Sequence, residues 1–73
     1  MQKIWLVKTG RLYRATPVTK GRRPNAAKVA AGDFGKRQYG EATRSKSAAV
    51  VALATVLKTD AERLQVVGEF HAA

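Results

Sequence analysis

The sequence predicts an α+β fold: a three- or four-stranded antiparallel sheet, one main helix packed on one face, and a short C-terminal helix. Three observations predict it. Two runs rich in β-forming residues, 3–8 and 11–16, flank a glycine-containing turn. From Ala48 to Leu57 the chain is apolar except for Thr55, which reads as a helix that needs cover on most of its surface. The strand-like segments precede this helix, and that segregation is the α+β pattern. Seventy-three residues make one small domain, 1–73.

The first two runs form a β-hairpin. A two-residue loop at Thr9-Gly10 sets Val7 opposite Leu12, Leu6 opposite Tyr13, Trp5 opposite Arg14 and Ile4 opposite Ala15. Alternation then puts Ile4, Leu6, Tyr13 and Ala15 on the core side. Lys3, Trp5, Val7, Leu12, Arg14 and Thr16 take the other side. A bulged three-residue loop would shift the register by one. Trp5 beside Arg14 has two readings: a stacking platform for a nucleobase, or a cross-strand cation–π pair that only packs.

Pro17 ends or edges the second strand, having no ladder donor. Residues 18–25 form a basic loop in which Gly21 and Pro24 bracket Arg22 and Arg23, with Lys20 just before. Such a loop can lie along a phosphate backbone or be a solvated connection. Residues 26–31 are short and bounded by Asn25 and Gly32. Their alanines favour helix and their brevity favours a strand; the strand is the expectation. Gly32-Asp33-Phe34-Gly35 is a turn, and 36–42 reads as the strand that feeds the helix. Thr43 or Ser45 serves as N-cap. After Leu57, Lys58-Thr59-Asp60 breaks the chain. Asp60 caps a short helix over 61–67 that stops at Gly68, with a strand over 64–67 as the alternative. Residues 69–73 are expected as a frayed tail, with Phe70 docking back on the core and no role for His71.

The formal net charge is +9, from 14 Lys+Arg against 5 Asp+Glu, with eight of the bases and none of the acids in residues 1–32. This is the electrostatic footprint of a nucleic-acid binder. An anionic membrane usually meets a basic amphipathic helix with bulky apolar residues, and here the basic region is strand- and loop-like. The apolar helix, about ten residues long, is far short of the roughly 20 needed to span a bilayer. Ile4-Trp5-Leu6-Val7 is too short for the core of a secretory signal. With no cysteine in the chain, a cytoplasmic setting is expected.

Few groups are present for catalysis. There is one histidine, no cysteine, and five scattered acids. No phosphate-loop glycine motif, Ser/His/Asp set or paired carboxylates appear. No enzyme activity, metal or cofactor is expected. A small chain without disulfides often gains stability by dimerising, and the apolar helix is the expected homodimer surface.

The helix entrance has a basic first turn. A helix N-terminus carries partial positive charge and favours acidic neighbours, yet Arg44 and Lys46 stand here and no acid follows within the turn. An external phosphate would satisfy both; two solvated cations are the plainer alternative.

Gly40, Thr43, Lys46, Ala48, Ala52, Ala54 and Leu57 follow one another with the spacing of a strand end, a Thr/Ser-Lys entrance and an alanine-rich helix. In this stretch, 40–57, the chain resembles the C-terminal part of double-stranded-RNA-binding domains. The resemblance implies that the lysine at the helix N-terminus, Lys46, holds a phosphate across the major groove. Ser45 and Ala49 stand where that family has further lysines, and its N-terminal helix has no counterpart. The order of strands before helix also resembles the three-stranded DNA-binding domains of phage and transposon integrases, whose sheet face enters the major groove.

The expected function is therefore binding of a double-stranded phosphate backbone, DNA or RNA. Lys8, Arg11, Arg14, Lys20, Arg22, Arg23, Arg44 and Lys46 are the candidate phosphate contacts, with Trp5 and Tyr13 as candidate stacking residues. Arg14 and Gln38 could also read a base. Neutralisation by all eight cations predicts a log–log salt slope on the order of −7. The alternative is a small basic inhibitor or accessory protein that docks on an acidic protein.

Overall fold

The computed structural model describes residues 1–19, 24–35 and 38–72. The N-terminal strand, β1 (Gln2–Thr9), is the middle of a three-stranded sheet, between β2 (Leu12–Pro17) and β3 (Leu64–Ala72). β1 pairs antiparallel with β2 and parallel with β3, so the α+β sheet is mixed rather than wholly antiparallel. A middle strand is covered from both sides, and Ile4, Leu6 and Val7 are all buried.

The hairpin turns at Gly10-Arg11, and Thr9 pairs with Leu12. Gly10 takes φ +62°, as the first position of a tight two-residue hairpin turn often requires. A Thr9-Gly10 loop would ask a β-branched threonine to adopt that conformation, which its Cβ resists. Every cross-strand neighbour therefore moves by two residues: Trp5 faces Thr16, Val7 faces Arg14 and Leu6 faces Ala15. Trp5 and Arg14 are therefore not directly opposite each other. A shift of two leaves each side chain on its expected face, because the strand period is two.

The next segment is a helix, α1 (Ala26–Ala30), where a strand was expected. Asn25 decides this. Its side-chain oxygen accepts a bond from the Lys28 N–H at 3.0 Å, which satisfies a free donor of the first turn. α1 buries Val29 on the Val7 side of the sheet, with Ala72, Phe34, Tyr39 and Phe70 around it.

Lys36 and Arg37 lie outside the described residues. Residues 38–43 run beside β2 without forming a regular strand. The Gly40 N–H donates to Ala15 O at 3.0 Å, and Tyr13 and Thr43 exchange backbone bonds of 2.7 and 2.9 Å. These bonds cover the outer edge of β2.

α2 (Lys46–Leu57) starts at Ser45, whose hydroxyl accepts from the Ala48 N–H at 3.3 Å. It ends at Lys58, in the left-handed region at φ 56°. Ala49, Leu53 and Ala54 are buried, and Leu53 and Ala54 pack with Ile4, Ala15 and Leu64. Small residues allow a close approach. A Cβ on Gly40 would stand 2.6 Å from the Leu53 backbone N, so glycine is required there. The outer side of the helix stays open: Val51 is 54 % and Val56 41 % exposed.

The C-terminal part departs furthest from expectation. Residues 61–63 make a 3-10 turn, and Leu64–Ala72 form β3. There is no C-terminal helix over 61–67, and the expected tail is strand through Ala72. The 64–67 alternative is realised and extended. Pairing with β1 drives this, since it satisfies the ladder groups of both strands. Gly68 does not stop a helix. It lies against the Trp5 ring, where a Cβ would come 2.8 Å from Cζ3.

Candidate nucleic-acid interface

Because β3 runs parallel to β1, the C-terminal ends of both strands reach the hairpin end of the sheet. The Tyr13–Thr43 pairing brings the start of α2 to the same end. Tyr13 on β2, Lys8 on β1 and His71 on β3 are cross-strand neighbours in one row. Glu69 lies on the same face of β3, one alternation before His71.

Lys46 reaches from α2 over this row. Its ammonium forms an ion pair with Glu69 and sits 5.7 Å from the centre of the Tyr13 ring. Lys8 Nζ is also 5.7 Å from that ring. Tyr13 thus has two cations against its ring, a geometry that draws on the negative face of the aromatic system. Arg11 is exposed in the hairpin turn, and Arg44 is exposed at the bend before α2. The helix entrance that lacks an acid in sequence receives one from β3.

Glu69 is held by two bases: Lys46 and His71, whose Nε2 lies 3.3 Å from a carboxylate oxygen. Hydrogen bonding to Lys46, and then to His71, keeps the Glu69 carboxyl below its ordinary range. The same bond and charge raise the Lys46 ammonium above its ordinary value. The two side chains are 56 % and 36 % exposed, so water screens the pair.

Arg14 is on the other face and is engaged within the fold. Its Nη1–H donates to Gly40 O at 3.1 Å, and its guanidinium stacks 4.1 Å from the centre of the Phe34 ring. Phe34 and Tyr39 meet edge-on at 5.5 Å. Burial pushes the Tyr39 hydroxyl above its ordinary pKa, opposed by a hydrogen bond with Thr16. Trp5 is half-buried on this same face, over Gly68. Gln38 is exposed, and its carbonyl accepts from the Thr16 hydroxyl at 2.7 Å. Lys20, Arg22 and Arg23 lie outside the described residues.

The structure therefore brings together Lys8, Tyr13 and Lys46, with Arg11 in the adjoining turn and Arg44 just before α2, and places Trp5 and Arg14 on the other face of the sheet. Sequence reasoning gave no part to Glu69 and His71. No local signal marks them, because their place in the cluster follows from a strand pairing some sixty residues apart in the chain. Among the described residues no group of three or more His, Cys, Asp or Glu could hold a metal, and no helix is long and apolar enough to cross a membrane. Comparison with protein-family models, curated proteins and solved structures finds no match for the chain.

Proposed function

We propose that this protein binds the phosphate backbone of a nucleic-acid duplex with the hairpin end of its sheet and the entrance of α2. The observation that carries this reading is the meeting of Lys8 and Lys46 over the Tyr13 ring in a chain of net charge +9, with Arg11 exposed in the adjoining hairpin turn and Arg44 exposed just before α2. Phosphate contacts from such side chains give affinity and carry no sequence information. Tyr13 is the aromatic group placed to meet a sugar or an exposed base; Arg14, engaged with Gly40 and Phe34, leaves the set of phosphate contacts.

The test is a titration with matched 20-base-pair DNA and RNA and with single strands, at 50 and 200 mM salt. Four phosphate contacts give a log–log slope of about −4 on duplex DNA, and Lys20, Arg22 and Arg23 together would take it to about −6. A slope near zero, or no binding to any polymer at low salt, would refute the reading and turn attention to an acidic protein partner. The uncovered side of α2, with Val51 and Val56 exposed, supports a second copy as its cover. Sedimentation equilibrium of the free protein tests that.

A further inference from the structure

An acid sits inside the basic cluster. The chain has five acidic residues, and among the described residues Glu69 is the one paired with a base of the candidate interface. It pairs with Lys46 and lies 3.3 Å from His71 Nε2. β3 contains no Lys or Arg, and Glu69 is its one acidic residue. It also shares a face with Lys8 and Tyr13. A phosphate brought to Lys46 meets this carboxylate at once, and two anions on one ammonium repel each other.

We propose that Glu69 is a built-in counter-anion that holds Lys46 and the entrance of α2 against polyphosphate, so that nucleic-acid binding exchanges this carboxylate for a phosphate. The inference rests on the nucleic-acid reading above and adds an internal competitor to it. Glu69 sets how tightly the protein holds any phosphate backbone, which makes it a tuning residue and not itself a contact. An exposed ion pair contributes little on its own. Releasing it therefore changes affinity by about two- to fivefold.

The experiment compares Glu69→Gln with Glu62→Gln. Both raise the net charge by one. Glu62 lies in the 3-10 turn, near Met1 and Gln2 at the opposite end of the sheet. Five strand steps separate Leu64 from Glu69 along β3, about 16 Å at about 3.3 Å per residue, which exceeds a Debye length of about 10 Å at 0.1 M salt. Binding of a labelled 20-base-pair duplex and of a labelled single strand is measured at 100 mM salt. Circular dichroism and Trp5 fluorescence confirm that the variants are folded alike.

Glu69→Gln should bind about two- to fivefold tighter than the parent, and Glu62→Gln should differ by less than about 1.5-fold. In a Lys46→Gln background the gain from Glu69→Gln should fall to the Glu62→Gln level, since the acid then has no ammonium to hold. Equal effects of the two Glu variants, or a gain that persists without Lys46, would overturn the counter-anion role while leaving nucleic-acid binding in place. No binding by parent or variants would overturn the function itself and this role with it.

Discussion

Gly40→Ala should be the most damaging addition of one methyl group at any described glycine. The new Cβ would stand 2.6 Å from Leu53 N, 2.9 Å from Leu53 Cα and 3.0 Å from Ala52 C. Ordinary carbon contacts lie at about 3.5–4.0 Å, so α2 must retreat by roughly 1 Å. All three atoms are helix backbone and cannot swing aside as a side-chain tip can. Retreat also pulls Leu53 and Ala54 away from Ile4 and Ala15, with which they pack. A gap of that size forfeits a quarter to a half of each dispersion contact across it, about 0.1 kcal/mol or less apiece. Overpacking typically costs about 1–3 kcal/mol; with lost packing added, about 2–4 kcal/mol is expected. A 73-residue domain has only about 4–11 kcal/mol in total, so the midpoint of thermal unfolding should fall by at least about 10 °C. Gly10→Ala is the control: its Cβ meets nothing within 4 Å, though φ is +62°, and the backbone penalty is about 1–2 kcal/mol. Urea unfolding followed by Trp5 fluorescence measures both. A Gly40→Ala loss no larger than that of Gly10→Ala would refute the close approach of α2 to residue 40.

Arg14→Gln should lower stability by about 1–2 kcal/mol through loss of the Phe34 stacking and the Gly40 bond, and leave the salt slope of binding unchanged. Arg11→Gln should do the reverse, with unchanged urea midpoint and a slope shallower by about 0.9. Ser45→Ala removes the N-cap of α2 and should cost about 1 kcal/mol in chemical denaturation. Lys58→Gly relieves a left-handed backbone and should raise the thermal midpoint by a few degrees. Acid titration should show the Lys46–Glu69 pair. The folded carboxyl is depressed, so its contribution is present above the unfolded value near about 4.3 and is lost as pH falls through the lower folded value. Glu69→Gln should remove that part of the acid transition, measured by far-ultraviolet circular dichroism.

The features legible in the sequence were those set by near neighbours. Alternation assigned the two faces of the β1–β2 hairpin, and those faces survived a two-residue error in register because the strand period is two. Ser45 and the apolar run after it marked the start and extent of α2. Gly10 marked the turn, although its own positive φ moved the loop one residue on. Asn25 carried the signal for α1, as a cap three residues before Lys28, and the brevity of the segment, taken as a strand signal, outweighed it.

What only the tertiary structure decided depends on long-range pairing. Leu64–Ala72 has the composition of a weak helix, a turn or a strand, and its place beside β1 selects the strand. Gly68 looked like a stop because nothing nearby shows that the Trp5 ring will lie on it. Arg14 read as a phosphate contact or a partner of Trp5 because Phe34 and Gly40, which engage it, lie 20 and 26 residues away. The first turn of α2 looked short of an acid because Glu69 arrives from another strand. The sequence by itself determined the charge, the hairpin faces and the apolar helix, since these rest on composition and on spacings of two to four residues. Which cations meet, and which acid stands among them, was decided by the parallel pairing of β3 with β1, a contact that no local propensity encodes.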